Sequence, residues 1–395
     1  MDWNFLIRNK SALSVTTDSR KVTPGCIFVA LKGEHFDGNA FVEQARQDGA
    51  EYIISGDNAL AELQDLARAW RRELGLPIIG ITGTNGKTTT KELLAAVLKT
   101  KYNLHYTQGN LNNQLGVPLT LLQMTRAHEM AIVEMGASHP GDINELVAIA
   151  EPNYGLITNV GRAHLQGFGS FEGVMRTKAE LYGWLVAHNG IIFRNADNPY
   201  LKKMLSDLGT LGSIVEYTTG TMPEGTHLIG DYNAENVSAA LCVGEYFGVS
   251  HDDALAAVRA YVPSNNRSQL MQTEHNTVVV DAYNANPTSM TAAIQAFTHN
   301  PSTVTGNPCY ILGEMRELGE YSHTEHQNIV NMLLERRAEK VFLLGNEYKN
   351  TTAPYPVFDD VEAFRAYLTE HPLSGCYILV KGSRGNQLEK ILDLL

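Results

Sequence analysis

The sequence predicts an α/β protein of three domains, and three observations carry that reading. The chain has 395 residues, beyond the roughly 250–300 at which one hydrophobic core stops growing. Short apolar runs alternate with segments whose apolar residues recur at three and four, the pattern of parallel strands crossed by helices. A glycine-rich turn joins one such run to a helix near residue 83, and a second strand–helix series begins after Val262-Pro263.

Residues 1–75 are predicted to form a small α/β domain, with strands at Cys26–Leu31 and Glu51–Ser55 and a helix over Ala59–Leu74. Residues 76–262 form a central domain that opens on the buried strand Leu76–Thr82 and the helix of Lys91–Lys99. Strands at Met130–Met135, Gly155–Val160 and Gly190–Phe193 follow, with a helix at Phe171–Leu185, and helices at Asn233–Phe247 and Asp252–Tyr261 close it. Residues 263–395 form a second βαβ series, with strands at Asn276–Asp281, Tyr310–Leu312, Lys340–Leu344 and Tyr377–Val380. Helices are expected at Ser289–Phe297, Glu325–Arg337, Val361–Leu368 and Gln387–Leu395. This last domain has the shape of a dinucleotide-binding (Rossmann-like) fold without its Gly-x-Gly-x-x-Gly turn.

Composition excludes some partners. Apolar residues make up 44% and charged residues 19%, enough to bury cores. A formal net charge of −12 repels a nucleic-acid backbone, and no basic groove is legible. No apolar run approaches a membrane span, and Met1–Phe5 lack the basic-then-apolar order of a signal peptide. The four cysteines are scattered, without the spacing of a zinc site or disulfide framework. A cytoplasmic, monomeric protein with no nucleic-acid or membrane partner is expected.

The strongest chemical signal is Gly80-Ile-Thr-Gly83-Thr84-Asn85-Gly86-Lys87-Thr88-Thr89. Between a buried strand and a helix, such a turn aims backbone N–H groups and the helix N-terminus at phosphates. Lys87 would neutralise β/γ oxygens, and the Thr88 hydroxyl would reach magnesium. The strict pattern has glycine five residues before Gly86, where this chain has Ile81. Glu134 ends a strand on the edge where parallel sheets bind ligands, so it could hold magnesium; read alone, it is equally a surface glutamate. His164 follows the next strand and opens on the same edge, although a lone histidine is more often structural. Lys178 lies in a helical run and alone would be a solvated lysine. Arg267, just after Pro263, stands where it could reach phosphate when domains close. Asp281–Pro287 offers Asp and Asn side chains for ribose and base, or simply an Asx-rich turn.

Taken together these pieces resemble the Mur ligase family of ATP-dependent amide-bond-forming enzymes. The likeness runs through Thr17–Arg20, Phe28–Gly33 with Asp37-Gly38, Thr82–Thr90, Gly109–Asn113, Gly116–Leu119 and Glu134–Ala137. It continues through Thr158–Gly161, Ala163–Leu165, Asn265–Ser268, Asp281–Pro287, Gly313–Gly319 and Lys381–Arg384. Asn110–Asn113, Tyr283–Pro287 and Gly313–Gly319 resemble the branch that adds D-alanyl-D-alanine to UDP-N-acetylmuramoyl-tripeptide in peptidoglycan precursor synthesis.

The resemblance implies a first domain that holds the UDP-sugar through Ser19 and Arg20, with Asn112 and Asn113 also on the substrate. It implies ATP at Gly83–Thr89 and a third domain that supplies adenosine contacts and the dipeptide site. It puts Asn236 and Asn286 on adenine, Asp281 on ribose and Arg267 on the phosphates. Thr88, Glu134 and His164 would hold Mg2+, and Lys178 matches a lysine carbamylated in several relatives, where it helps hold a second metal. Two departures stand out. Only 26 residues separate Pro199 from Thr226, where relatives usually carry extra strands, and Asn386 replaces a frequent methionine. A superfamily ligase using another amino acid or folate is the nearer alternative, and a nucleotide switch the distant one.

Overall fold

The computed structural model describes residues 3–209, 212–230, 232–263, 266–298 and 306–395. Asn265, which opens the Asn265–Ser268 motif, lies outside them. Fifteen strands are assigned among the described residues: β1 (Val15–Thr16), β2 (Ile27–Val29), β3 (Tyr52–Ile54), β4 (Ile78–Thr82), β5 (Leu104–Tyr106), β6 (Met130–Glu134), β7 (Tyr154–Ile157), β8 (Ile191–Asn195), β9 (Ser213–Tyr217), β10 (Gln269–Gln272), β11 (Thr277–Asp281), β12 (Asn307–Gly313), β13 (Lys340–Leu344), β14 (Val357–Phe358) and β15 (Cys376–Lys381). They make three sheets. The first is parallel in the order β1-β2-β3, and the second parallel in the order β5-β6-β4-β7-β8-β9. The third has the order β10-β11-β15-β12-β13-β14, parallel except for β10.

β4 and β6 are buried at every residue, as expected of central strands covered by helices on both faces. The helix Lys87–Leu98 buries Leu93, Leu94, Val97 and Leu98 against Val237, Ala240 and Val243 of the helix Asn233–Tyr246. The helix Ala59–Leu74 has the bounds that the apolar periodicity predicts, and Gly75 ends it in the left-handed conformation.

Between the first two sheets there is no break in the apolar interior. One cluster runs from Ile27, Val29 and Ile54 through Leu63, Leu66 and Trp70 to Val117, Leu121 and Leu146. Trp70 Nε1 donates to the Met124 carbonyl at 2.9 Å. Arg71 donates to the carbonyls of Ala150 and Glu151 and to Asn153 Oδ1, at 2.8–3.1 Å. The third sheet packs within two clusters on its two faces, with Ile229 of the central part against one of them. It meets the central part through polar contacts, among them Asn85–Asn286, Arg162 N to Thr288 Oγ1 at 3.0 Å, Arg162–Glu325 at 3.0 Å and His164–Glu317.

Two segments differ from the sequence reading. Gln387–Leu395, expected as an ordinary helix, is a 3₁₀ helix over Leu388–Leu394. Three residues per turn stack Leu388 over Ile391, both buried against the third sheet. The terminal Leu395 carbonyl is held there by the Thr273 hydroxyl at 2.7 Å and by Asn276. In the shortened stretch after Asn195, a helix (Pro199–Asp207) capped by Asn198 leads through to β9, which adds to the open edge of β8. Among the described residues no helix is long and apolar enough to cross a membrane.

Candidate active site

A cavity of about 810 Å3 lies between the C-terminal edges of the second and third sheets. Its floor is the phosphate turn. Gly86 has φ +78°, and a Cβ there would collide with the Asn236 side chain, so this position requires glycine. The turn is braced from the loop that follows β7. Asn85 N donates to Asn159 Oδ1 at 3.0 Å, and Thr158 Oγ1 donates to the Asn85 carbonyl at 2.6 Å. Lys87 Nζ rests on the carbonyls of Gly83 and Thr84, at 2.8 and 3.1 Å. Burial, helped by the charge of Arg267 and opposed by Glu134, pushes its ammonium down to about 8.

Thr88 Oγ1 donates to Glu134 at 3.0 and 3.2 Å, and Asn112 Nδ2 donates to the same carboxylate at 2.9 Å. Behind Glu134 lies Lys91, fully buried, with Nζ donating to the Thr107 carbonyl at 2.6 Å and 3.9 Å from Glu134 Oε2. A hydroxyl and a carboxylate beside a phosphate turn suit Mg2+, a hard ion that takes one or two protein oxygens and fills its shell with phosphate and water. Among the described residues no group of three or more His, Cys, Asp or Glu stands ready to hold a metal alone. The donors therefore fit a metal that arrives with its nucleotide.

His164 takes a left-handed backbone, φ +49°, and its Nδ1 pairs with Glu317, brought across from the loop after β12. Burial pushes the imidazole below its ordinary value, with Lys87 and Lys178 acting the same way and Glu317 against them. Lys178 is 2% exposed, its nearest aromatic being Phe168, with Nζ 5.6 Å from the ring centre. No ion pair holds it among the described residues. Burial, and then the charge of Lys87, holds its ammonium well below the usual lysine range.

On the opposite wall Asn286 Nδ2 donates to Asn85 Oδ1 at 2.8 Å. Asp281 ends β11 directly beside Lys381, which ends β15, and Lys381 Nζ donates to Asp281 Oδ2 at 2.6 Å. The Arg267 guanidinium lies 3.9 Å from the centre of the Tyr283 ring, with its Nε buried and without a hydrogen-bond partner. Asn236 is spoken for on the helix, accepting from Thr90 Oγ1 at 3.0 Å and donating to Asn233 at 2.9 Å.

The cavity thus gathers Thr84–Thr89, Asn112, Asn113, Glu134, His164, Asn236, Arg267, Asp281 and Asn286. Gly83 and Lys178 lie outside its lining. Asn113 Oδ1 accepts from Gly116 N at 2.8 Å, capping the helix Gly116–Leu122. Ser19 and Arg20 lie in a 3₁₀ turn after β1, outside the cavity lining, where Arg20 pairs with Asp18 at 2.8 Å and holds that carboxyl down at about 2. Sequence reasoning gave no role to Asn159, Tyr283, Lys381 or Arg384. The available signal was position, since each lies at or just after the C-terminal end of a buried strand.

The fold and this site together define an ATP-dependent amide ligase built on a phosphate-turn domain, and the chain belongs to the Mur ligase family. The Mur ligase family catalytic domain matches residues 13–103, the Mur ligase middle domain residues 81–221, and the glutamate ligase domain residues 266–384. The UDP-N-acetylmuramoyl-tripeptide–D-alanyl-D-alanine ligase of Bacillus subtilis is 35% identical, over 96% of this chain and 93% of its own. Its Escherichia coli counterpart is 33% identical over 97% and 93%. Among solved structures, MurF from Acinetobacter baumannii superposes with a TM-score of 0.85 at 28% identity, covering 96% of this chain and 92% of that one. MurF from Thermotoga maritima in complex with ADP gives 0.83 at 27% identity, covering 97% of both.

Proposed function

We propose that this chain is an ATP-dependent ligase that adds D-alanyl-D-alanine to UDP-N-acetylmuramoyl-tripeptide, a step of peptidoglycan precursor synthesis. The observation that carries the reading is one cavity walled by a phosphate turn on one side and the strand ends of the third sheet on the other. ATP is needed because a carboxylate will not accept an amine unaided. The terminal carboxylate of the tripeptide attacks the γ-phosphate, ADP leaves, and an acyl phosphate results. The dipeptide amine attacks that carbonyl, phosphate departs, and an amide remains.

In this reading residues 1–75 hold the UDP-sugar through Ser19 and Arg20, residues 76–262 hold ATP, and residues 263–395 supply adenosine contacts and the dipeptide site. Lys87 and Arg267 bear on the charge that develops on the transferring phosphoryl group. Asn236 and Asn286 face the base and Asp281 the ribose, with Asn112 and Asn113 toward the peptide. Mg2+ bound at Thr88 and Glu134 would supply charge neutralisation on the phosphates. A second ion would sit at His164 and carbamylated Lys178. Carbamylation requires a neutral amine, and burial of Lys178 favours that form. Single-turnover phosphate release tests the proposal. Release should require both UDP-N-acetylmuramoyl-tripeptide and D-alanyl-D-alanine; hydrolysis without either organic substrate would indicate a nucleotide switch, and turnover with a single amino acid another superfamily ligase.

A further inference from the structure

One buried charge takes no part in the proposed reaction. Lys91 is fully buried and lies outside the cavity lining. It stands one turn beyond Lys87 on the helix Lys87–Leu98. Lys87 folds back over the glycine-rich turn, whereas Lys91 reaches the end of β5, where its Nζ donates to the Thr107 carbonyl at 2.6 Å. A buried ammonium is a costly partner for a single carbonyl. Two carboxylates account for it: Glu92 Oε1 lies 3.1 Å from Nζ and Glu134 Oε2 3.9 Å.

The two carboxylates differ. Glu92 is partly exposed, while Glu134 is buried, lines the cavity and accepts from the Thr88 hydroxyl and the Asn112 amide. Glu134 N also donates to Thr107 Oγ1 at 3.0 Å, so one threonine fixes the lysine and the glutamate relative to each other. At 3.9 Å Lys91 makes no hydrogen bond to Glu134. Neutral donors aim the carboxylate, and the lysine acts on it by charge alone. We infer that Lys91 is a positioning residue that acts on the metal through Glu134, a resident cation that loosens the carboxylate's hold on a divalent ion. In a buried site its repulsion of that ion is poorly screened, so the ion is held weakly enough to arrive and leave with the nucleotide. The inference rests on the proposed placement of Mg2+ at Thr88 and Glu134 and goes beyond it by naming the group that sets how tightly the ion is held.

The test titrates Mn2+ into the enzyme with ADP bound and follows free Mn2+ by its electron-spin signal. Lys91→Met removes the charge and keeps an apolar stem; it should tighten Mn2+ binding about tenfold or more and lower the Mg2+ needed for half-maximal ligation. Glu92→Gln removes the other carboxylate beside Lys91 and leaves the lysine's charge unshared, so Mn2+ binding should weaken about three- to tenfold. Affinity for ADP in the presence of EDTA should change less than about threefold in either variant. Shifts of opposite sign follow from charge, whereas damaged packing would weaken binding in both variants. Glu92 is partly exposed, so its variant keeps the test open should Lys91→Met fail to fold. Unchanged or weaker Mn2+ binding in folded Lys91→Met, or unchanged or tighter binding in Glu92→Gln, would overturn the inference. Wild-type Mn2+ affinity in Glu134→Gln would instead overturn the placement of the metal itself.

Discussion

Lys87 gives the sharpest expectation, because the structure fixes both its environment and a sign. Its ammonium lies on two carbonyls of the turn, and burial lowers it to about 8. At pH 8 half of the free enzyme therefore carries a neutral Lys87, and at pH 9 about nine-tenths does. Phosphate oxygens seated on the turn favour the charged form and raise the lysine back toward its ordinary range. Binding of Mg-ATP should take up about half a proton at pH 8, about 0.9 at pH 9 and under about 0.1 at pH 7. The protonated form is the one that binds, so affinity should weaken as pH rises past 8, approaching about tenfold per unit. Titration calorimetry in two buffers of different ionisation enthalpy reads the proton number directly. Lys87→Met should abolish the uptake, while Lys178→Met should retain it. Buffer-independent heats at pH 8 and 9, with a flat affinity, would refute the assignment of Lys87 to the phosphates.

Three other substitutions separate chemistry from architecture. Arg267→Lys removes the planar group stacked on Tyr283; ligation should fall about 100-fold or more while ATP affinity without the peptide changes less than about threefold. Equal losses in both measurements would place Arg267 in the resting nucleotide site. Lys178→Ala should lose most ligation, and acetate or formate should restore part of it; wild-type turnover in that variant would remove Lys178 from the metal chemistry. Trp70→Ala should cost about 3–5 kcal/mol of stability in urea denaturation, since the ring is fully buried and its Nε1 is bonded to Met124. A loss below about 1 kcal/mol would mean that the first sheet is not joined to the second through this helix.

Local signals made much of this legible. The helix Ala59–Leu74 follows from spacing and the glycine after it, and the strand–turn–helix of Ile78–Leu98 follows from an apolar run that meets Gly83 and Gly86. Strands β5 and β10 escaped because one has three residues and the other alternates only between partly buried and exposed positions. The site was harder where partners are far apart in the chain. Nothing near His164 announces Glu317, and nothing near Asp281 announces Lys381 a hundred positions later; register across a sheet brings the second pair together. Arg384 lies 5.6 Å from the centre of the Tyr283 ring, a neighbour about a hundred positions away that its own motif does not announce. Asn113 shows the reverse case, a motif residue whose amide carbonyl is used locally to start a helix.

The contrast between the apolar interior shared by the first two sheets and the polar seam against the third has a mechanical consequence. Parting surfaces joined mainly by polar contacts lets water replace most of them, the buried Glu325 excepted, whereas opening the Trp70 region would strip apolar area. The first two sheets therefore behave as one anvil, with the distance from the first sheet to the glycine-rich turn set when the chain folds. Of the two boundaries, the one against the third sheet is therefore the one that opens at the smaller cost.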